Sequence, residues 1–461
     1  MIPPLCPSSC AKGPSLPQGE RRCQDLLVDT LKNSEILNQA SRIFIGFSGG
    51  VDSSVLLHAL AQDQNFLKKI QAVHVNHQLQ DAAGDFEKFC VSFCEDLKID
   101  LKILRPSRPI NSGESLEAYA REIRYECFRS CLENSQDILV TAQHLEDQAE
   151  TFLIQLFRGA GLAGLASMPV LSNLGSGVLY RPFLNISKNN IKNYADFFKL
   201  NFINDPSNLD VDLDRNFLRQ EIFPRLKQRY LGLEKNIARS ARHCASAQEL
   251  LDQQALGLLK NIGGELGKKL NLKYFWDLKK LEQVLVLRFW LASFDLILSE
   301  AQTEILLSNK KIKIKIKNKN KFVEIREFKN FFYVVLDDQF FSGSAHRHDF
   351  VSPLVGEADQ RALGLLGREG ASLEWPWEIN LNHILKSLEI QGIDLKKLDL
   401  NNLNLKIRTE EEKIKYPGAA HHKSFKNIFQ ERQVPPWLRK KIPLIYEGEN
   451  LIGIVLPEVF E

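Results

Sequence analysis

Between Arg42 and about Tyr230, short apolar runs alternate with longer segments of helical periodicity. Arg42–Phe47 (RIFIGF) reads as a strand running into Ser48–Ser54 (SGGVDSS), with Val55–Ala61 as the helix that follows. Ile70–His77 is a second strand, followed by an amphipathic helix over Asp85–Leu97. Leu101–Leu104 and Leu116–Leu132 repeat the pair, as do Asp137–Thr141 and Glu146–Phe157. This alternation predicts an α/β fold with a parallel, Rossmann-like sheet and helices on both faces. Ligands of such sheets sit beyond the carboxyl ends of the strands. Ser48, His77 and His144 fall at or just after such ends, so they are expected to converge.

The texture then changes. Asn185–Leu200 is expected to be a helix capped by Ser187, Asp205–Asn208 a turn, and Asn216 to about Leu307 mostly helical. Lys310–Lys321 (KKIKIKIKNKNK) holds seven lysines in twelve residues. As a strand it would be basic on one face and apolar on the other. That suits an edge strand guarded against aggregation and an RNA-facing strand equally well. Residues 322–336 are strand-like, and 339–375 have the composition of a linker. The expected organisation is a tail and lead-in helix (1–40), a catalytic domain (41–230), a mainly helical domain (231–338), the linker (339–375) and a small C-terminal α/β domain (376–461).

Composition adds exclusions. With 44% hydrophobic and 25% charged residues among 461, the chain can fill cores of about three domains, which excludes wholesale disorder. No run of about 18 apolar residues exists, so no membrane partner is expected. Residues 1–23 lack an apolar signal core and read as a loose tail. The eight cysteines form no dense framework of the secreted kind. Cys90/Cys94 and Cys127/Cys131 are spaced i,i+4, which differs from the usual zinc or cluster spacing, so they read as helix-packing thiols. A cytoplasmic enzyme is expected.

Strand, SGGVDSS, helix is the strongest chemical signal. Adjacent Gly49 and Gly50 let backbone amides crowd onto an anion, and the helix N-terminus adds partial positive charge. Ser48, Ser53 and Ser54 add hydroxyls, and Asp52 is a candidate ligand for a magnesium ion bridging phosphates. The alternative is a tight turn with a serine cap, which needs neither the second glycine nor the acid. No Gly-Lys-Ser/Thr follows, so this is not a Walker loop.

Ser48–Ser54 resembles the pyrophosphate-binding loop of the PP-loop, or N-type ATP pyrophosphatase, superfamily. Ala72–Leu79 (AVHVNHQL), Glu117–Tyr125 (EAYAREIRY), Val140–Thr151 (VTAQHLEDQAET), Arg158–Leu165 (RGAGLAGL), Arg181-Pro182, Asp205–Asn208 and Arg215–Arg219 (RNFLR) are similar to the tRNA(Ile)-lysidine synthase family. Lys426–Tyr446 resembles the terminal domain of that family. The resemblance implies ATP as co-substrate, Mg²⁺, free L-lysine and a CAU-anticodon tRNA(Ile) as partners, with both later domains binding tRNA. It implies adenylation of the C2 oxygen of the wobble cytidine, followed by displacement of AMP by the lysine amine. The sequence leaves a homodimer open.

By the same resemblance, Ser48, Gly49, Gly50, Val51, Asp52, Ser53, Ser54 and His77 contact the nucleotide, and Asp147 and Glu150 bind lysine or magnesium. Asp52, Arg121, Asp147 and Glu150 are the candidate catalytic set. Arg121 and Arg124, three apart on one helical face, suit phosphate oxygens, although charge spacing alone favours a solvated face. His77 reads equally as a strand-end histidine, and the acids of 146–150 are favourable at any helix N-terminus. His144, Arg158, Asn216 and Arg219 are expected on the lysine or tRNA side. The family usually has two histidines and two aspartates around 143–147, whereas this chain has Gln143 and Glu146, which weakens any claim for those two positions.

Between residues 406 and 441 ten Lys/Arg face four Asp/Glu. Arg408, Lys426 and Arg439, with Trp437, suit a tRNA backbone, or else form an ordinary solvated face. Two rival readings remain. A tRNA thiolase would need a reactive cysteine near the loop. A non-catalytic RNA-binding protein would need no intact loop.

Overall fold

The computed structural model describes residues 26–77, 83–106, 116–203, 211, 213–264, 269–294, 296–308, 313–318, 321–336, 381–390, 393 and short stretches between 403 and 455. It divides into two compact units, 1–254 and 255–461.

The first unit begins with helix α1 (residues 26–32) and α2 (Glu35–Gln39), the latter capped by the Ser34 hydroxyl. Leu27, Leu31 and Leu37 are buried in the main core, and each contributes about 2 kcal/mol by leaving water. The lead-in helix is therefore part of the domain core. Then follow β1 (Arg42–Gly46), α3 (Val51–Ala61), α4 (Gln64–Leu67), β2 (Ile70–Val75), α5 (Ala83–Leu97), β3 (Asp100–Leu104), α6 (Leu116–Arg129) and β4 (Asp137–Val140). After β4 come α7 (Leu145–Phe157), α8 (Leu162–Leu165), β5 (Leu171–Leu174), β6 (Gly177–Tyr180) and α9 (Lys188–Phe197).

The sheet order is β3-β2-β1-β4-β6-β5, with only β5 antiparallel to its neighbour. The direction of winding reverses between β1 and β4, so the loops after these two strands open a crevice at their carboxyl ends. At the opposite end, Arg42 Nε donates to Asp137 Oδ1 at 2.9 Å and locks β1 to β4. The inner strands β1, β2 and β4 are largely apolar and buried because helices cover both faces. Ile43, Ile45 and Ala72 enter one core, while Phe44, Val73 and Leu139 enter the other.

Helix α3 starts at Val51, four residues earlier than the periodicity suggested. Ser54 N donates to Gly50 O at 3.0 Å and Ser53 Oγ to the same carbonyl at 3.1 Å, so the polar half of the motif forms the first helical turn. Ser187 caps α9 as expected. The Asp205–Asn208 turn, the 1–23 tail and the 339–375 linker lie outside the described residues.

α10 (Asp214–Phe217) runs through a π-helical turn, Leu218–Ile222, into α11 (Phe223–Arg229). Pro224 lacks the N–H that an α-helix would send back to Gln220, which favours the wider turn. The long α12 (Leu233–Asn261) contains the division between the units.

In the second unit, β7 (Leu270–Asn271), α13 (Leu272–Phe275), α14 (Lys280–Ala292) and α15 (Glu300–Ser308) precede β8 (Lys313–Asn318), β9 (Lys321–Phe328) and β10 (Phe331–Leu336). The antiparallel order β7-β10-β9-β8 places the lysine-rich strand at an edge. The stretch expected to be helical is interrupted by β7, which pairs with Phe331 and Phe332. Two residues are too few to show a period. Trp290, Phe275 and Phe332 anchor this core. Helix α16 (Leu381–Ile390) and β11 (Leu403–Ile407), β14 (Pro443–Glu447) and β15 (Asn450–Ile454) bury Leu388, Leu403, Ile445 and Val455, with β12 (Lys413–Ile414) and β13 (Lys423–Ser424) as a small separate pair.

The loop geometry yields a paired test. Gly49 has φ +81°, and a Cβ there would lie 3.2 Å from Phe89 Cδ1 and 3.3 Å from Cys90 Sγ. Gly49→Ala should cost about 2 kcal/mol in urea unfolding. Gly50→Ala should fold normally, since Gly50 has φ −75° and its Cβ direction meets only Ser48 Oγ at 3.5 Å.

Candidate active site

The crevice is built from four chain segments. After β1, Phe47 N donates to Val73 O at 2.9 Å, and the buried His74 Nδ1 lies 2.9 Å from Phe47 O. This fixes the last residue before the loop. Ser48 and Ser53 hydroxyls meet at 3.1 Å, and Ser48 N donates to Ser53 Oγ at 3.3 Å. Ile203 N donates to Gly49 O at 2.9 Å and ties the loop to the segment after α9. Gly50, the N-cap of α3, makes no side-chain cap, so the first-turn amides keep their capacity for an anion.

Asp52 projects from that first turn. Its Oδ1 is buried and has no hydrogen-bond partner. Burial raises its pKa above the usual carboxylate range, against the opposing pull of the charges on His144 and Lys188. From the loop after β4, His144 Nε2 lies 3.8 Å from Asp52 Oδ1 and 3.5 Å from Asp147 Oδ2. His144 Nδ1 is 3.1 Å from Glu146 Oε2, close enough for ion pairing although poorly aligned as a hydrogen bond. Burial disfavours the imidazolium, yet the contact with Glu146 and the charges of Asp147 and Asp52 outweigh it and raise the His144 pKa.

Asp147 Oδ2 also accepts from His144 N at 3.0 Å, closing the first turn of α7. Its other oxygen takes Arg219 Nη2 at 2.7 Å, while Arg219 Nε donates to Glu150 Oε1 at 2.5 Å. Arg215 Nε stands 3.5 Å from Glu150 Oε2, an oxygen left buried and without a hydrogen bond. Burial pushes the Glu150 carboxyl upward, and Arg219 opposes that shift. For Asp147, the burial penalty is outweighed by the His144 and Arg219 charges, which hold its pKa low. The π-helical turn carries Arg219 in a position to grip both acids at once.

The loop Ser48–Ser54 with Asp52, His144, Asp147, Glu150 and Arg219 comes together in one crevice. Asn216 is buried on α10. His77, its pKa lowered to about 4 by burial and by Arg124 and His74, stands after β2 within electrostatic reach of Arg124. Arg121 lies over the Tyr125 ring at 5.1 Å, and the buried Arg181, within electrostatic reach of Tyr125, donates to Pro169 O at 2.8 Å. Arg158 is exposed and paired with Asp214 at 3.3 Å. Arg439 Nε donates to Val434 O at 3.1 Å. Arg408 and Lys426 lie outside the described residues.

Sequence reasoning discounted Glu146, yet it bridges His144 and the backbone of Lys188, whose N donates to Glu146 Oε2 at 2.8 Å. It also passed over His74, Arg215 and Lys188. An i,i+4 search would have paired Arg215 with Arg219; nothing local marks the others. Cys90 and Cys94 are buried on one face of α5, with burial pushing both thiols up to about 12, so they are packing residues. Among the described residues no cluster of three or more His, Cys, Asp or Glu could hold a metal, and no helix is long and apolar enough to cross a membrane.

A glycine loop opening a helix at the reversal point of a parallel sheet, with an acid in its first turn, defines a PP-loop nucleotide-binding domain. Residues 17–226 match the family model of the PP-loop domain, and residues 403–459 match that of the TilS substrate C-terminal domain. The chain is 34% identical to the tRNA(Ile)-lysidine synthase of Coxiella burnetii, over 92% of this chain and 91% of that protein. It is 33% identical to that of Legionella pneumophila (strain Lens), over 91% and 92%, and 31% identical to that of Vibrio atlanticus, over 93% and 95%. The chain belongs to the tRNA(Ile)-lysidine synthase family, and it is an ATP-dependent ligase.

Two measurements probe the charge network. Arg219→Ala removes the closest cation from two shielded carboxylates, leaving only the longer contacts to His144 and Arg215, and should lower the unfolding free energy by about 3 kcal/mol; Glu150→Gln in the same chain should restore part of it. His144 has a raised native pKa, so the stability of its charged form is present in full below pH about 6.5 and is lost as pH rises through the native value. Urea unfolding from pH about 6 to 9 should show falling stability in the wild type and a flatter profile in Glu146→Gln.

Proposed function

We propose that this chain ligates L-lysine to C2 of the wobble cytidine in a CAU-anticodon tRNA(Ile), through an adenylated tRNA, in the cytoplasm. One observation carries the proposal: two buried carboxylate oxygens, Asp52 Oδ1 and Glu150 Oε2, lack hydrogen-bond partners on either side of His144 and Asp147. Buried acceptors of this kind are kept where a ligand completes them. Asp52 beside the amide-lined loop suits a phosphate-bound cation. Glu150 beside Asp147 suits the ammonium of lysine.

Asp52 fits one ligand of a magnesium ion whose other ligands come from phosphates and water, as is usual for that ion. Bound there, the ion would neutralise phosphate charge. The chain's own residues do the rest. The Ser48–Ser54 loop and the α3 N-terminus hold the β,γ-phosphates. His144, its positive charge favoured, faces Asp52 and counters negative charge at the phosphates. Arg121, held over Tyr125, meets phosphate on the acceptor side. Adenylation turns a carbonyl oxygen into a leaving group. Asp147 and Glu150 then hold the lysine and accept a proton from its attacking amine, with Asn216 and Arg219 shaping that side. His77 and Arg124 flank the nucleotide, and Arg158, Arg408, Lys426 and Arg439 contact the tRNA backbone. In this reading 41–230 is catalytic, and 231–338 and 376–461 bind tRNA on either side of a linker over 339–375.

The test is incorporation of labelled lysine into CAU-anticodon tRNA(Ile), with and without ATP, against methionine tRNA. ATP-dependent label on the isoleucine tRNA alone, with AMP released, is expected; ATP–pyrophosphate exchange on another acceptor without lysine would overturn the reading. Asp52→Asn should abolish adenylation while tRNA binding survives, and equal loss of both would make Asp52 structural. Glu150→Gln should raise the KM for lysine by about tenfold or more with little change in that for ATP.

A further inference from the structure

Lys188 is a charged residue of the crevice to which neither the sequence resemblance nor the proposal above gives a task. Its position is fixed from three directions. Ser187 caps α9 through its hydroxyl to Asn190 N at 3.3 Å, Lys188 N donates to Glu146 Oε2 at 2.8 Å, and Leu145 N donates to Ile186 O at 2.9 Å. The first turns of α7 and α9 are thereby joined through their ends. From Glu146 the chain of contacts continues to His144 at 3.1 Å and from His144 to Asp52 at 3.8 Å. The half-buried side chain of Lys188 thus starts beside Glu146 in the wall of the crevice, and its charge acts on Asp52.

The other cations of the crevice have close carboxylate partners: Arg219 with Asp147 and Glu150, Arg215 with Glu150, and His144 with Glu146. Lys188 forms no ion pair among the described residues. A flexible ammonium held at its root, joined through Glu146 and His144 to a carboxylate that has an orphan oxygen, in a crevice with an anion-binding helix N-terminus, has the design of a phosphate contact.

The geometry points to Lys188 as a catalytic residue that binds the triphosphate of ATP and stabilises the departing pyrophosphate, with Glu146 as the residue that positions it. In that step the acceptor oxygen forms a bond to the α-phosphorus while the α–β bridging P–O bond breaks. The electron pair leaves on pyrophosphate, where the ammonium offsets the added negative charge and transfers no proton. This explains how the chain uses glutamate at 146. Its longer side chain spans from the His144 ring to the Lys188 amide, joining the two cations whose charges act on Asp52.

The inference rests on the adenylation reading, and the experiment separates the two. Full-length wild type, Lys188→Met and Lys188→Arg are compared by binding of α,β-methylene ATP, by AMP release and lysine incorporation on the CAU tRNA, and by thermal unfolding. Lys188→Met should bind the analogue at least about tenfold more weakly and turn over about 100-fold more slowly. The KM for lysine and the melting temperature should stay near wild type, and Lys188→Arg should recover most of both losses. Wild-type analogue binding and turnover in Lys188→Met would overturn the assignment while leaving the function standing. So would early melting of both variants with no rescue by arginine, which would mark a structural role. Analogue binding lost only in Lys188→Met, in an enzyme that makes no lysidine, would keep the phosphate contact and sink the functional reading.

Discussion

Four carboxylates, Asp52, Glu146, Asp147 and Glu150, crowd one crevice, and much of the domain is arranged to make that tolerable. Acids removed from water repel each other and lose hydration, at a cost of several kcal/mol each unless paired. His144, Arg219, Arg215 and Lys188 supply the compensation, and each arrives on a different backbone device: the loop after β4, a π-helical turn, the α10 helix and the α9 N-terminus. Two oxygens, Asp52 Oδ1 and Glu150 Oε2, have a cation within 4 Å yet accept no hydrogen bond.

The sheet makes the crowding possible. Winding reverses between β1 and β4, so the glycine loop and the His144 loop emerge side by side, with nothing crossing between them. The Arg42–Asp137 pair at the far end keeps those strands in register, and His74 grips the carbonyl of Phe47 just before the loop turns. Rigid support on both sides lets Gly49 hold its left-handed conformation against Phe89 and Cys90. The cysteines that could suggest sulfur chemistry serve this support: burial keeps Cys90 protonated, with its Sγ 3.4 Å from His74 Nδ1.

How much of this was legible varies with the range of the interaction. SGGVDSS declares itself because glycines, hydroxyls and an acid between a strand and a helix have few other uses. The strands were legible from short apolar runs, and Ser187 from its place before an amphipathic segment. The start of α3 was misjudged because hydrogen bonds to Gly50 O, rather than hydrophobic spacing, begin that helix. Glu146 looked like a departure from the expected aspartate, and only its reach to Lys188 N, 42 residues along the chain, shows what the extra methylene does.

The sequence by itself determined the α/β class, the nucleotide loop, the thiols as packing groups and the family, since each depends on residues close together in the chain. Tertiary structure decided which charges meet. It assigned Arg219 to both Asp147 and Glu150, His144 to Asp52, and the backbone of Lys188 to Glu146. The physical reason is that Coulomb interactions and desolvation depend on distance through space and on burial. Neither quantity exists until the strands have been ordered and the helices laid across them.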